Sequence, residues 1–281
     1  MDRPTFAVHI NSSRHMRNRA RIAAQIAVSC GAHLVGVAST MLPESPYMNS
    51  IGSEAATLLA DYLGRVRQKV DADLAVFEEI VQAADVCSCE KRVLDDEAGI
   101  ALCLQGRYSD LLIVGQVDAD EPLDMPDNLP EYALMNAGRP VLVCPLIIRQ
   151  DSIGKRCLVA WDGSLEAARA ITGALPILQG AANVLLCVVD PEIGRGAHGQ
   201  EPGADMALYL ARHDVRTEVM RVSADPHHAD IGDALLTEAS RCDADLLIMG
   251  GYGHSRLREV VLGGVTATVL RSMDLPVLMS H

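Results

Sequence analysis

The chain has 281 residues, of which 49% are hydrophobic, and a formal net charge of −13. This composition provides for a sizeable core and excludes wholesale disorder, while the acidic balance argues against non-specific binding to nucleic acid or to anionic membranes. The chain has no apolar run of about 18 residues and begins MDRPTFAVHI, without the apolar region of a signal peptide, so we expect no membrane span and a cytoplasmic location.

Apolar runs and helical stretches alternate along the chain. Residues 7–10 (AVHI) end a first strand, residues 54–84 have helical periodicity nearly throughout, and the runs DLLIVG and RPVLV give two later strands. The second part reads as strand CLVAW, helix LEAARAITGALPIL, strand NVLLCVVD, helix 206–212, strand TEVMRVSAD, helix 230–242, strand DLLIMGG, helix 265–273 and strand 276–279. Continuously apolar strands are typical of a parallel sheet covered on both faces.

The two halves repeat one pattern. DLLIVG at 110–115 returns as DLLIMG 135 residues later, and RPVLV at 139–143 returns as LPVLM 136 residues later. AVHINSS at 7–13 corresponds to LVAWDGS 151 residues later, so the first half carries 16 extra residues, for which the long helix accounts. We therefore predict an α/β protein of two tandem doubly wound parallel-sheet, Rossmann-like domains, residues 1–150 and 151–281.

The eight cysteines are predicted to be free thiols in a reducing compartment. Six are scattered, mostly in apolar segments, and there is no CxxC motif. Cys87 and Cys89 lie two residues apart, and on a strand they would point to opposite faces, which does not favour a disulfide.

A glycine-rich stretch, GGYGHSRLREVVLGG, follows the strand DLLIM. Ligands of open parallel sheets collect outside the carboxyl ends of the strands. Glycine lets the backbone approach a ligand closely, and the N–H groups at the start of the next helix favour an anion. His254, Arg256 and Arg258 add donors, so the stretch is a candidate phosphate cradle, with tight turns as the alternative interpretation.

This stretch resembles the ATP-binding branch of the universal stress protein family, whose motif is G-x-x-G, nine residues, then G-[ST]. Gly250 and Gly253 supply the first part, residues 254–262 supply the spacing, and Gly263 follows. VAWDGS, CVVD and LPVLM look like the family's first strand and turn, second strand end and closing strand. The resemblance covers 154–281, and the first half matches in outline only.

The resemblance implies a nucleotide site in the second half, with ATP or a related adenine nucleotide, and Mg²⁺ where one accompanies it, as the ligand. It assigns Asp162 and Val188 to the adenosine pocket and Gly250 and Gly253 to the ribose and phosphates. His254, a donor within the loop, follows Gly253, and the remaining candidates lie at the second glycine cluster: Gly263, Gly264, Val265 and Thr266. Gly264 stands where the family has Ser or Thr, and the loss of one neutral hydrogen bond costs about 1 kcal/mol.

The first half departs further from the motif. Asn11 replaces the aspartate, and the loop after Gly115 reads QVDADEPLDMPD, in which acidic groups repel phosphates and prolines forbid the same backbone path. We expect no ATP site here, which leaves a vestigial site, a site for another ligand, or a pairing surface.

Other catalytic and metal motifs are weak. Asp225, His227, His228 and Asp230 lie close in sequence, but adjacent histidines point apart and the segment reads as a turn and a helix cap, so no metal site is predicted. There is no GxSxG elbow. ATP hydrolysis needs a positioned water, for which no base stands out, so any turnover is expected to be slow.

The leading hypothesis from sequence is a tandem universal stress protein that binds adenine nucleotide and acts as a stress-response sensor or regulator. The alternatives are a nucleotide-free interaction scaffold and a slow ATPase. Family members commonly dimerise through the last strand, so residues 140–144 and 276–279 are expected to pair within the chain, covering each other's sheet edge. Homodimerisation of the whole chain remains open.

Overall fold

The computed structural model describes residues 3–40, 53–121, 128–148, 152–189, 201, 203–222, 231–252 and 264–281. In the first half the strands are Thr5–Ile10 (β1), His33–Ser39 (β2), Cys89–Leu94 (β3), Leu111–Gly115 (β4) and Val141–Cys144 (β5). The helices between them are Met16–Cys30 (α1), Ser53–Ala83 (α2), Ala98–Gly106 (α3) and Leu129–Asn136 (α4).

The second half repeats the same alternation. Its strands are Arg156–Ala160 (β6), Asn183–Val189 (β7), Glu218–Val222 (β8), Leu246–Gly250 (β9) and Val277–Ser280 (β10). Its helices are Leu165–Leu178 (α5), Ala204–Arg212 (α6), Ile231–Arg241 (α7) and Gly264–Ser272 (α8). The predicted strand–helix alternation and the predicted long second helix are confirmed.

The strands form one continuous sheet in the order β3-β2-β1-β4-β5-β10-β9-β6-β7-β8. Every neighbouring pair of described strands is parallel except β5 and β10. The first half has the order β3-β2-β1-β4-β5 and the second half has the equivalent order reversed, β10-β9-β6-β7-β8. In both halves the closing strand lies at the centre of the sheet and the third strand lies at its outer edge. The predicted doubly wound class is confirmed, because in each half the chain extends the sheet first to one side of the opening strand and then to the other.

The two closing strands join the halves. β5 and β10 run antiparallel, with Val143 opposite Val277, Leu142 opposite Leu278 and Val141 opposite Met279. All six side chains are buried, so each strand covers the edge that the other would expose. The predicted pairing of the two closing strands within the chain is confirmed. The domain boundary near residues 150–154 remains a prediction.

Helices cover both faces of the sheet. Buried side chains of α1, α2, α5 and α6 pack with one face of the strands, and those of α3, α4, α7 and α8 pack with the other. Because both faces are covered, the strands carry apolar residues at successive positions: LLIV of β4 and LLIM of β9 are buried throughout. None of the helices among the described residues is long and apolar enough to cross a membrane.

All eight cysteines lie in the described part of the chain and are free thiols, as predicted. Cys103, Cys144, Cys157 and Cys187 are buried, whereas Cys87 and Cys89 are exposed. Burial raises the pKa of Cys144 to about 12 and that of Cys103 to about 11. The buried thiols are therefore protonated at neutral pH and behave as small apolar core residues.

Candidate functional site

The candidate site lies at the carboxyl ends of β6 and β9. These two strands are neighbours in the sheet, and the chain leaves β6 towards β7 on one side while β9 lies on the other side. This arrangement makes the β6–β9 boundary the point at which the strand order reverses, which is where open α/β sheets bind ligands.

The turn after β6 is built by short-range hydrogen bonds. Asp162 Oδ1 accepts from the backbone N–H of Ser164 at 2.9 Å, and Ser164 Oγ accepts from the backbone N–H of Ala167 at 3.1 Å. Gly163 between them has φ of 80°, in the left-handed region that favours glycine. Ser164 is thus the N-cap of α5, and Asp162 is exposed at the mouth of the β6 turn.

Gly250 at the end of β9 lies directly on the first turn of α5. A Cβ at this position would be 2.7 Å from the backbone nitrogen of Ala167 and 3.1 Å from the carbonyl carbon of Glu166. A side chain here would displace helix backbone, so the glycine has a structural reason besides any ligand. The same close approach brings the end of β9 beside the turn that carries Asp162.

The start of α8 is held against the end of β9. Thr266 is buried, and its Oγ1 accepts a hydrogen bond from the backbone N–H of Tyr252 at 3.2 Å. Gly264, the first residue of α8, is exposed, and Val265 is half-buried. The two ends of the glycine-rich stretch are therefore fixed next to each other, and the Thr266 hydroxyl already accepts one bond from the protein.

Three of the predicted site residues, Gly253, His254 and Gly263, lie outside the described residues, as do the four residues of the 225–230 cluster. Val188 lies in β7 with no exposed surface. A Cβ on Gly203, at the start of α6, would be 3.1 Å from Val188 Cγ2. The structure thus brings together Asp162, Gly250 and the start of α8, while a pocket-lining role of Val188 stays a prediction.

The first half contributes to this region in a way that sequence reasoning missed. A Cβ on Gly251 would be 2.7 Å from Leu134 Cδ2, so α4 packs against the loop that follows β9. Tyr252, with φ of 59°, has a buried hydroxyl without a hydrogen-bond partner, as has Glu131 Oε2 on α4. Burial, with Glu131 as a second cause, raises the pKa of Tyr252. More than a hundred residues separate these groups in sequence, so no local signal marks them.

The corresponding region of the first half is filled by the protein itself. Arg19 is buried on α1; its Nε donates to the carbonyl oxygen of His9 at 2.8 Å and its Nη2 donates to Asn11 Oδ1 at 2.5 Å. A Cβ on Gly115 would overlap this guanidinium. Burial lowers the pKa of Arg19 to about 10, so the group is charged at neutral pH.

An ion-pair cluster covers the same end of β1 and β4. Asp118 pairs with Arg14, and its Oδ2 is 2.8 Å from Nε2 of His15. The backbone N–H of Asp120, then Arg14 and His15, hold the pKa of Asp118 at about 2. Asn11, Arg19 and this acidic cluster give the first half a different chemistry from that of the second half, and the absence of an ATP site in the first half stays a prediction.

Known proteins match this chain in sequence and in fold. The family model described as "Universal stress protein family" matches residues 154–281. A universal stress protein of Synechocystis sp. is 29% identical over 151 residues, which are 53% of this chain and 49% of that protein. The matching part thus spans about half the length of this known relative.

Solved structures extend the likeness to both halves. A universal stress protein from Archaeoglobus fulgidus DSM 4304 aligns over 98% of this chain and 95% of its own, with 16% identity and a TM-score of 0.71. A functionally unknown protein from Pseudomonas aeruginosa PAO1 aligns over 98% and 91%, with 15% identity and a TM-score of 0.55. At these identities the likeness is one of fold alone.

One further match is a universal stress protein solved in complex with cAMP, which aligns over 50% of this chain with 21% identity and a TM-score of 0.39. The bound cAMP is a property of that protein, and a likeness of this size carries no argument about the ligand here. By this sequence match residues 154–281 belong to the universal stress protein family, and both halves of the chain share the fold of a solved member, which is therefore built twice.

Proposed function

We propose that this chain binds ATP or a related adenine nucleotide between the carboxyl ends of β6 and β9, and that it acts through that binding as a cytoplasmic stress-response sensor or regulator. The observation that carries the proposal is the junction at Gly250. This residue rests on the first turn of α5, and the hydrogen bond from Tyr252 to Thr266 holds the start of α8 beside it. Two helix N-termini and a carboxylate therefore meet at one sheet edge.

The chemistry of these groups suits a nucleotide. The N–H groups in the first turn of α8, from Gly264 onward, have no acceptor within the helix and favour the phosphates, because a helix N-terminus combines such donors with the positive end of the dipole. Asp162 is an exposed carboxylate that can accept hydrogen bonds from a ribose or an adenine amino group. Mg²⁺ would enter with the phosphates, since carboxylate and phosphate oxygens are its preferred ligands.

Gly264 weakens this site without removing it. The hydroxyl that the family has at this position is lost, and the nearby Thr266 hydroxyl accepts a hydrogen bond from Tyr252 instead. Loss of one neutral hydrogen bond corresponds to about 1 kcal/mol, or roughly fivefold in affinity. The same observation favours the second candidate, an interaction scaffold that works without nucleotide. A slow ATPase is a third, and it would share the nucleotide site.

The test begins with mass spectrometry of small molecules released by denaturing freshly purified protein, followed by titration with ATP and with AMP. Asp162→Ala is expected to weaken binding by roughly ten- to a hundredfold, because a hydrogen bond to a charged group contributes about 1.5–3 kcal/mol. Gly253→Asp adds a negative charge beside the phosphates and should abolish binding.

The matched control is Asn11→Ala, because Asn11 occupies the position in the first half that corresponds to Asp162. We expect its affinity for ATP to equal that of the wild type. The scaffold interpretation is supported if no nucleotide is released and millimolar ATP does not bind, or if Asp162→Ala and Asn11→Ala bind ATP with equal affinity. Phosphate release that disappears in Asp162→Ala would identify the slow ATPase.

A further inference from the structure

The first half carries a cluster of metal-binding side chains where the second half carries the candidate nucleotide site. His15 is the N-cap residue of α1, after β1, and Asp118 and Glu121 lie in the loop after β4. One nitrogen or oxygen atom from each of the three lies within 4.8 Å of the others. We propose that His15, Asp118 and Glu121 bind a divalent transition-metal ion, with Zn²⁺ as the representative.

The two carboxylates are oriented by the loops that carry them. Asp118 Oδ1 accepts from the backbone N–H of Asp120 at 3.0 Å, which leaves Oδ2 directed at His15. Glu121 Oε1 accepts from Ser13 Oγ at 3.1 Å and from the backbone N–H of Arg14 at 2.7 Å. Because these bonds fix both side chains in advance, metal binding would require little further ordering of the ligands.

The imidazole of His15 and the guanidinium of Arg14 converge on one carboxylate oxygen. Asp118 Oδ2 is 2.8 Å from Nε2 of His15 and accepts from Nε of Arg14 at 2.9 Å. Nε2 of His15 and Nε of Arg14 are themselves only 3.1 Å apart. A metal ion at this point would be bound by the imidazole nitrogen and the carboxylate oxygen together, because both would direct lone pairs at the same cation.

Arg14 supplies the positive charge that the cluster now holds. Its side chain is 58% exposed, in contrast to 7% for Asp118, so it can leave the cluster for solvent without breaking core contacts. An exposed arginine pair of this kind contributes little to stability, because water screens the charges. Replacement of Arg14 by a divalent ion therefore costs little and restores a cation of higher charge next to the two carboxylates.

The ligand set selects the class of ion. One imidazole and two carboxylates suit Zn²⁺, Co²⁺ or Mn²⁺, whereas Ca²⁺ and Mg²⁺ take oxygen ligands. Tetrahedral ligands at about 2.1 Å from a metal are about 3.4 Å apart. The distances here run from 2.8 Å between His15 and Asp118 to an upper bound of 4.8 Å, so shifts of about an ångström complete the geometry.

The test uses the full chain without nucleotide, treated with chelator, in a Cys87→Ser/Cys89→Ser background that removes the two exposed thiols. Titration calorimetry with Zn²⁺ measures affinity and stoichiometry, and Co²⁺ adds a visible spectrum that reports nitrogen and oxygen ligands. We expect one saturable site per chain. His15→Gln should weaken it by at least about tenfold, since even the outer partners of metal ligands matter that much.

Two further variants make the test specific. His33→Gln is the matched control, because His33 is a similarly half-buried histidine of the same half, 3.9 Å from the carboxylate of Glu90; its affinity should equal that of the parent. Arg14→Ala should bind Zn²⁺ more tightly, because the competing cation is removed. The proposal is overturned if no saturable site exists, if His15→Gln and His33→Gln bind alike, or if Arg14→Ala binds more weakly. Circular dichroism of each variant establishes that it is folded.

Discussion

Asp245 and Asp110 begin the two copies of the repeated DLLI strand, and we predict that their loss has very different effects on stability. Asp245 is fully buried. Its carboxylate accepts from Ser152 Oγ at 3.0 Å and from the backbone N–H groups of Lys155 and Arg156, both at 3.0 Å. Asp110 is exposed, and the bond described for its side chain is one from the backbone N–H of Thr5, at 2.8 Å.

The magnitudes follow from the donors that each substitution leaves without a partner. Asp245→Ala leaves three partly buried donors without their acceptor, and each such group costs about 1–3 kcal/mol, so a total loss of at least about 3 kcal/mol is expected. Asp110→Ala removes one exposed bond and should cost about 0.5–1 kcal/mol. Asp245→Asn retains one oxygen for the backbone donors of Lys155 and Arg156 and should lie between the two.

The assay is equilibrium unfolding in urea, followed by circular dichroism, with the midpoint and the slope compared for all three variants. A shift of the midpoint at unchanged slope measures the loss of stability. Equal midpoints for Asp245→Ala and Asp110→Ala would refute the reasoning, because they would mean that the buried bonds at the start of β6 add nothing to the free energy of unfolding.

Three other predictions rest on single contacts. Gly250→Ala should lower stability by about 1–3 kcal/mol, because its Cβ meets the backbone of α5. Gly64→Ala on α2, where a Cβ would have nothing within 4 Å, should raise stability by about 0.5–1 kcal/mol. Thermal melting measures both variants, and equal melting temperatures would contradict the packing at Gly250. Tyr252→Phe should leave urea stability unchanged or raise it by up to about 1 kcal/mol because the hydroxyl is buried without a partner, and a clear loss would reveal a bond that the structure lacks. A disulfide reagent at pH 8 should modify Cys87 and Cys89 rapidly and the four buried thiols only after denaturation, because burial raises the pKa of those four. Rapid reaction of Cys103, Cys144, Cys157 or Cys187 would show that the core opens.

The packing across the centre of the molecule gives the two halves contacts beyond the β5–β10 pair. Pro140 packs against Gly173 of α5, and Gln116 Nε2 donates to the carbonyl oxygen of Leu270 in α8 at 2.8 Å. Leu134 of α4 lies beside Gly251, in the loop that leads into the candidate nucleotide site. If the proposed nucleotide moved this loop, the contact with Leu134 would shift α4. The binding site in one half would then be coupled to a helix of the other half.

Sequence alone was sufficient for the class of fold and the repeat. Strands such as LLIM of β9 are buried on both faces and must be apolar throughout, so they stand out as runs, and the two copies of DLLI made the tandem arrangement readable. The letters DGS indicate a turn with a helix cap at either Asp162 or Ser164, because capping depends on neighbours only a few residues away, and the structure shows that the cap is Ser164.

Only the tertiary structure decided which residues at equivalent positions of the repeat have the same surroundings. Asp245 and Asp110 occupy equal places in the repeat, yet one is buried against the start of β6 and the other is exposed. His15 and Asp118 are 103 residues apart, and their meeting depends on β1 and β4 becoming neighbours in the sheet. Local patterns record propensity and burial, whereas side-chain partners distant in sequence are set by how the elements pack, which no short stretch of the chain encodes.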